Sequence, residues 1–290
     1  MSQDSLISAT ELRRLLQEPH PPLLLDARPG PGPYAEGHLP GAHAADLDAT
    51  LSAALEPGHD PARGGRHPLP APEVWAARLE RWGLAPGSRV VVYDDASGGN
   101  GGARLWWMLR ASGLAGVRVL DGGLQAALEA GLAPTAEVPA LPAPTTWTPR
   151  AWALPTVDLA AVDRLRLSPD HKVLDVRSRE RHLGLTEPLD PVAGHIPGAL
   201  NLPYTGNLDG QGRFLDPAAL KARYLDLLAG TPPGRLVVHC GSGVTACHTL
   251  LALEVAGLGG AALYVGSWSE WCRSSLPMAR GPEPFGAAPD

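Results

Sequence analysis

The chain has 290 residues, enough for one or two domains that each bury a core, and its 44% hydrophobic and 19% charged content is that of a globular protein. A net charge of −6 argues against nucleic acid as a main partner, and no apolar run is long enough to span a membrane. The opening MSQDSLISATELRR has neither the basic nor the apolar region of a signal peptide, and the three cysteines are too few and too scattered for a disulfide framework, so a reducing cytoplasm is the expected setting. Neither HExxH nor CxxC spacing occurs, and no metal or other cofactor is expected.

A helical stretch around Thr10 to Glu18 leads into an apolar strand, LLLDAR (23–28), that ends in Asp-x-Arg. The turn EGHLPGAHAADL (36–47) follows, and then an excursion rich in Gly and Pro, LEPGHDPARGGRHPLPAP (55–72). SRVVVYDDASGGNGGARLWWML (88–109) reads as strand, glycine loop and helix, and VRVLDGGLQAAL (117–128) as a further strand and helix. The prolines of EVPALPAPTTWTPRAW (137–152) mark a semi-extended linker.

After the linker the order returns. A helical stretch around Val157 to Leu167 precedes VLDVR (173–177), then AGHIPGALNLPY (193–204), GRLVVHCGSGVTACHTLLAL (234–253) and AALYVGSWSEWC (261–272). The chain is a duplicated α/β domain: two copies, 1–144 and 145–290, each a parallel sheet with helices on both faces. The excursion 55–72 has no counterpart in the second copy. His38 and His195 stand in HxPGA of both copies, and Arg28 and Arg177 in Asp-x-Arg of both, so these four read as parts of the fold.

The copies differ where the chemistry would be. Cys240 lies between an apolar strand (Leu236 to Val238) and a glycine turn that opens a helix (Thr245 to Glu254), the carboxyl end of a strand where open α/β sheets place ligands. Backbone N–H groups of such a turn, at a helix N-terminus, stabilise a thiolate. The first copy has Asp94 in that place and so lacks a thiol nucleophile. Cys247 reads as a buried helix residue, with a resolving role toward an oxidised Cys240 as the alternative; Cys272 carries no signal.

Tandem HxPGA segments, an Asp in the first loop and CGSGVTA in the second resemble the two-domain rhodanese-type sulfurtransferases over nearly the whole chain. The resemblance implies an inactive amino-terminal domain and a carboxyl-terminal cysteine that carries sulfur as a persulfide. It places the chain nearest the 3-mercaptopyruvate enzymes, because thiosulfate enzymes carry a basic CRKGVTA-like loop where this chain has Gly241 and Ser242. It further implies that Ser242, His67 of RHPLP and Asp48 of ADLD manage a proton beside Cys240. Gly241, Gly243, Val244 and Thr245 would hold the sulfur's charge, and Arg181 would bind the donor carboxylate. A second carboxylate arginine is expected just after TEP, where this chain reads LDPVAG. The implied partners are a small anionic sulfur donor and a cyanide or thiol acceptor, thioredoxin among them. Thiosulfate as donor, and a carrier module loaded by another enzyme, are the alternatives. A cysteine phosphatase is disfavoured because its anion-binding arginine would stand at Ala246. A Ser242 hydrolase is disfavoured because no Gly-x-Ser-x-Gly elbow surrounds that serine.

Overall fold

The computed structural model describes residues 5–148 and 150–285. The first copy runs β1 (Leu6–Ile7), α1 (Ala9–Leu15), β2 (Leu23–Asp26), α2 (Pro31–Glu36), β3 (Ala42–Ala44), α3 (Pro72–Arg81), β4 (Val90–Tyr93), α4 (Gly102–Ala111), β5 (Val117–Leu120) and α5 (Gly123–Glu129). Its five strands are all parallel in the order β1-β5-β4-β2-β3. Leu24, Val91 and Tyr93 pack with Leu12, Leu15, Ala126 and Ala127 of α1 and α5 in one core. Leu25, Val90 and Val92 alternate with them along the strands and are equally buried, as a sheet covered on both faces requires. Helix α1 is capped by Ser8, whose Oγ accepts the Glu11 N–H at 3.2 Å. It stops short of Glu18, the residue before Pro19, where a proline disfavours the helical backbone.

The second copy repeats this: β6 (Thr156–Val157), α6 (Leu159–Leu165), β7 (Lys172–Asp175), α7 (Arg179–His182), β8 (Leu200–Asn201), α8 (Pro217–Leu228), β9 (Leu236–His239), α9 (Thr245–Val255), β10 (Ala262–Tyr264) and α10 (Ser267–Trp271). The strand order is β6-β10-β9-β7-β8, again all parallel. Val162 of α6 packs with Val173, Val237, Tyr264, Trp268 and Trp271 on one face.

The repeated motifs do the same work twice. Arg28 forks onto Asp26, Nη2 donating to Oδ2 at 2.6 Å and to the Gly37 carbonyl at 2.6 Å. Arg177 forks onto Asp175, Nη2 donating to Oδ2 at 2.6 Å and to the Gly194 carbonyl at 2.7 Å. His38 stacks on Tyr34 at 3.8 Å and His195 on His182 at 4.0 Å, and both rings of HxPGA face backbone carbonyls. These four residues tie strand ends to the following turns.

By their internal contacts the residues form two units whose membership is interleaved along the chain. One takes the described residues up to Leu55, Leu69–Leu154 and Asp209–Phe214; the other takes Glu56–Pro68, Pro155–Leu208 and the described residues from Leu215. The change after the linker falls at Leu154, later than 145, because Trp152 packs against Trp75 and Trp107 and the Ala153 N–H donates to the Ala111 carbonyl at 2.8 Å. Most of the 55–72 excursion belongs to the unit that contains Cys240.

Candidate active site

Cys240 follows the last residue of β9 and is 1% exposed. Its loop is shaped by carbonyls that turn toward α10. The Trp268 N–H donates to the Cys240 carbonyl at 3.0 Å and the Ser269 N–H to the Gly241 carbonyl at 2.8 Å. The Cys240 N–H donates to Ser267 Oγ, which donates to the Tyr264 carbonyl at 2.9 Å. Gly243 has φ +76°, and a Cβ there would lie 2.5 Å from the Val265 carbonyl oxygen, so only glycine fits. With the carbonyls facing α10, the N–H groups of Gly241, Ser242 and Val244 donate to no acceptor among the described residues, although all three residues are buried. Buried unpaired amides are rare, and a cluster beside a cysteine is suited to receiving an anion.

The first copy shows the same strand end with its anion built in. The Asp94 carboxylate, fully buried, accepts N–H groups from Ala96, Gly98, Asn100, Gly101 and Gly102 at 2.7 to 3.0 Å. Asp94 thus occupies the place equivalent to Cys240, as the sequence alignment requires, and fills its own loop with negative charge.

His67 Nδ1 lies 2.7 Å from Ser242 Oγ, two residues from Cys240. The segment carrying His67 is held by two glycines of RGGRH. The Gly64 N–H donates to Glu270 Oε1 at 2.8 Å, and Gly65, at φ +78°, comes so close to Gly266 that a Cβ would sit 2.4 Å from its carbonyl oxygen. Asp48, the expected partner of His67, belongs to the other unit, on the turn that follows β3, where it is exposed and its carbonyl accepts Ser52 Oγ at 3.2 Å.

Arg181, on α7, forks onto Glu187, Nη2 donating to Oε1 at 2.6 Å and Nε to Oε2 at 3.2 Å. Arg66, next to His67, pairs through Nη1 with Asp190, which also accepts Arg273 Nη1 at 2.9 Å. Burial pushes the Asp190 carboxyl up, but the hydrogen bonds from Arg66 and Arg273 outweigh it and hold it below the usual carboxylate range. Both arginines reach the cysteine loop: a Cβ on Gly241 would lie 3.2 Å from Arg181 Nη2 and 3.3 Å from Arg66 Nη2. With Arg177 on Asp175 and Glu187, the network holds four guanidinium groups against three carboxylates and retains one positive charge. Arg66, Glu187 and Asp190 are site residues that the sequence reading missed. The signal for Arg66 was its adjacency to His67.

Cys247 is fully buried, its Sγ 3.4 Å from the Gly243 carbonyl. Cys272 is buried as well, and burial pushes its thiol up to about 11. Trp268 lies under the Arg177 guanidinium, 4.9 Å from its ring centre, and its Nε1 donates to the Val192 carbonyl at 2.9 Å. Among the described residues no group of three or more His, Cys, Asp or Glu side chains is arranged to hold a metal ion, and no helix is long and apolar enough to cross a membrane.

Comparison with known proteins identifies the family. The rhodanese-like domain family matches residues 8–130 and 159–274. A Pseudomonas aeruginosa protein named "Probable 3-mercaptopyruvate sulfurtransferase" is 46% identical over 97% of this chain and 100% of its own. The thiosulfate sulfurtransferase of Rattus norvegicus is 33% identical over 85% of this chain and 81% of its own. The structure of 3-mercaptopyruvate sulfurtransferase from Leishmania major superposes with a TM-score of 0.78 at 33% identity, covering 93% of this chain and 75% of that one.

Proposed function

The chain belongs to the rhodanese-like family and is a sulfurtransferase, and from that premise we propose that its donor is 3-mercaptopyruvate and that Cys240 carries the sulfur. The hydrogen bond between His67 and Ser242, beside a cysteine loop in which the N–H groups of Gly241, Ser242 and Val244 donate to no acceptor among the described residues, carries this reading. The Cys240 thiolate attacks the donor's thiol sulfur; the S–S bond forms as the donor's C–S bond breaks and its electron pair passes into the enolate of pyruvate. The thiol proton moves through Ser242 and His67 to the enolate carbon, giving pyruvate and a Cys240 persulfide anion. Asp48 orients His67 in this scheme, a role that rests on the sequence resemblance. The persulfide's charge is taken up by the N–H groups of the loop from Gly241 to Thr245 and by the amino end of α9. An acceptor then attacks the outer sulfur and restores the thiolate: cyanide leaves as thiocyanate, and a thiol such as that of thioredoxin leaves as its persulfide.

Steady-state thiocyanate formation with each donor tests the assignment. A higher kcat/KM for 3-mercaptopyruvate is expected, and a preference for thiosulfate would overturn the donor. Cys240→Ser should abolish turnover with both, and activity surviving it would end the mechanism.

A further inference from the structure

Resting on that reading, we infer that Arg66 is the second arm of the donor-carboxylate clamp, replacing the arginine missing after TEP. The segment between Glu187 and His195 has no arginine, and Asp190 stands within it instead. That Asp receives Arg66 through Nη1. The other terminal nitrogen, Nη2, lies 3.3 Å from the Cβ position of Gly241, one residue from Cys240, and donates to no acceptor among the described residues. Arg181 has the same division: Nη2 and Nε are held by Glu187, and Nη1, 3.4 Å from the Cβ position of Gly241, donates to no acceptor among the described residues. Each guanidinium is therefore fixed on one edge by a buried carboxylate and presents a free N–H edge at the same glycine. Two planar donors converging on one point form a carboxylate site. Their anchoring also lowers the entropy lost when the substrate binds.

Arg66 is 21% exposed at its side chain and Arg181 18%, so both remain open to a small ligand. Gly241 is part of the device, because a Cβ there would press on both guanidinium groups, 3.2 Å from Arg181 Nη2 and 3.3 Å from Arg66 Nη2. An Asp in place of the missing arginine would be repulsive to the donor if left alone. Paired with Arg66 and Arg273, it becomes the post on which the replacement is mounted.

The test compares Arg66→Met and Arg66→Lys with the parent enzyme, using 3-mercaptopyruvate and mercaptoacetone, the analogue with a methyl group in place of the carboxylate, and cyanide as acceptor. In Arg66→Met the preference for 3-mercaptopyruvate over mercaptoacetone should fall roughly 10- to 100-fold, chiefly through KM, and Arg66→Lys should recover part of it. An equal fall for both donors, or no change in the preference, overturns the inference. Alkylation of Cys240 by iodoacetate and by iodoacetamide reads the same clamp without turnover. The iodoacetate-to-iodoacetamide rate ratio should drop in Arg66→Met, and in smaller measure in Arg66→Lys, which keeps the charge facing Asp190 should the Met variant fail to fold. A parent enzyme that ignores 3-mercaptopyruvate would overturn the donor assignment, while the alkylation ratio would still decide the role of Arg66.

Discussion

His239, the residue before Cys240, is fully buried, and desolvation lowers its pKa to about 4 against the attraction of Asp175. The folded ring stays neutral while the unfolded one takes up a proton near pH 6.5, so acid favours unfolding across the window between the two values. Between pH 7 and pH 5 this one group costs about 2 kcal/mol. His239→Gln should narrow the stability difference between those pH values by about that amount in urea unfolding. Gly241 carries a second residue-scale prediction. Gly241→Arg, which restores the basic position of the thiosulfate-type loop, forces Arg66 and Arg181 aside and should shift donor preference toward thiosulfate by roughly tenfold or more, measured as a ratio of kcat/KM values. At this scale the sequence made Cys240, Ser242 and His67 legible, since each sits in a short motif. Arg66 was not legible as a carboxylate ligand, because its role comes from reaching a loop 175 positions away (66 to 241) rather than from any spacing.

Among the elements, the strands and the duplicated turns were readable, for apolar runs ending in Asp-x-Arg have few other solutions in an α/β chain. The segment 56–68 was readable only as an excursion. Its placement depends on Gly65 lying flat against Gly266, a backbone contact with no side-chain pattern to announce it. Gly65→Ala should displace Arg66 and His67 together and lower kcat/KM by more than about tenfold, beyond the backbone strain of about 1–2 kcal/mol that a left-handed alanine costs. Gly58→Ala, at φ +80° in open space, carries the same backbone strain and should leave the kinetics unchanged. If the two variants behave alike, the contact with Gly266 is irrelevant to the site.

On the scale of the whole molecule, interleaved membership means that the unit containing Cys240 cannot be obtained by cutting the chain at its linker. Residues 155–285 alone lack Arg66 and His67. Conversely, an engineered protease site at 143–144, in exposed chain, should give a nicked protein whose fragments stay associated, because 56–68 remains packed in the unit of the other fragment. Gel filtration and turnover after cleavage check this; separation of the fragments would contradict it. The duplication was legible from the order of motifs, but the exchange of segments was not, since it is a property of packing that repeats in sequence do not encode.

The five amides gathered on Asp94 also set a clock for the other copy. In the first copy the negative charge is an amino acid, so its loop is equally stiff at every moment. In the second copy, on the proposed mechanism, the charge moves from the Cys240 thiolate out to the terminal sulfur of its persulfide, within reach of the loop amides, and back again, and the loop's rigidity should rise and fall once per turnover. Hydrogen exchange at 241–245 is then expected to slow when Cys240 carries its persulfide and to quicken when cyanide removes it, while exchange at 96–102 stays constant in the same sample. The first copy would serve as the built-in reference against which the cycle at Cys240 is timed.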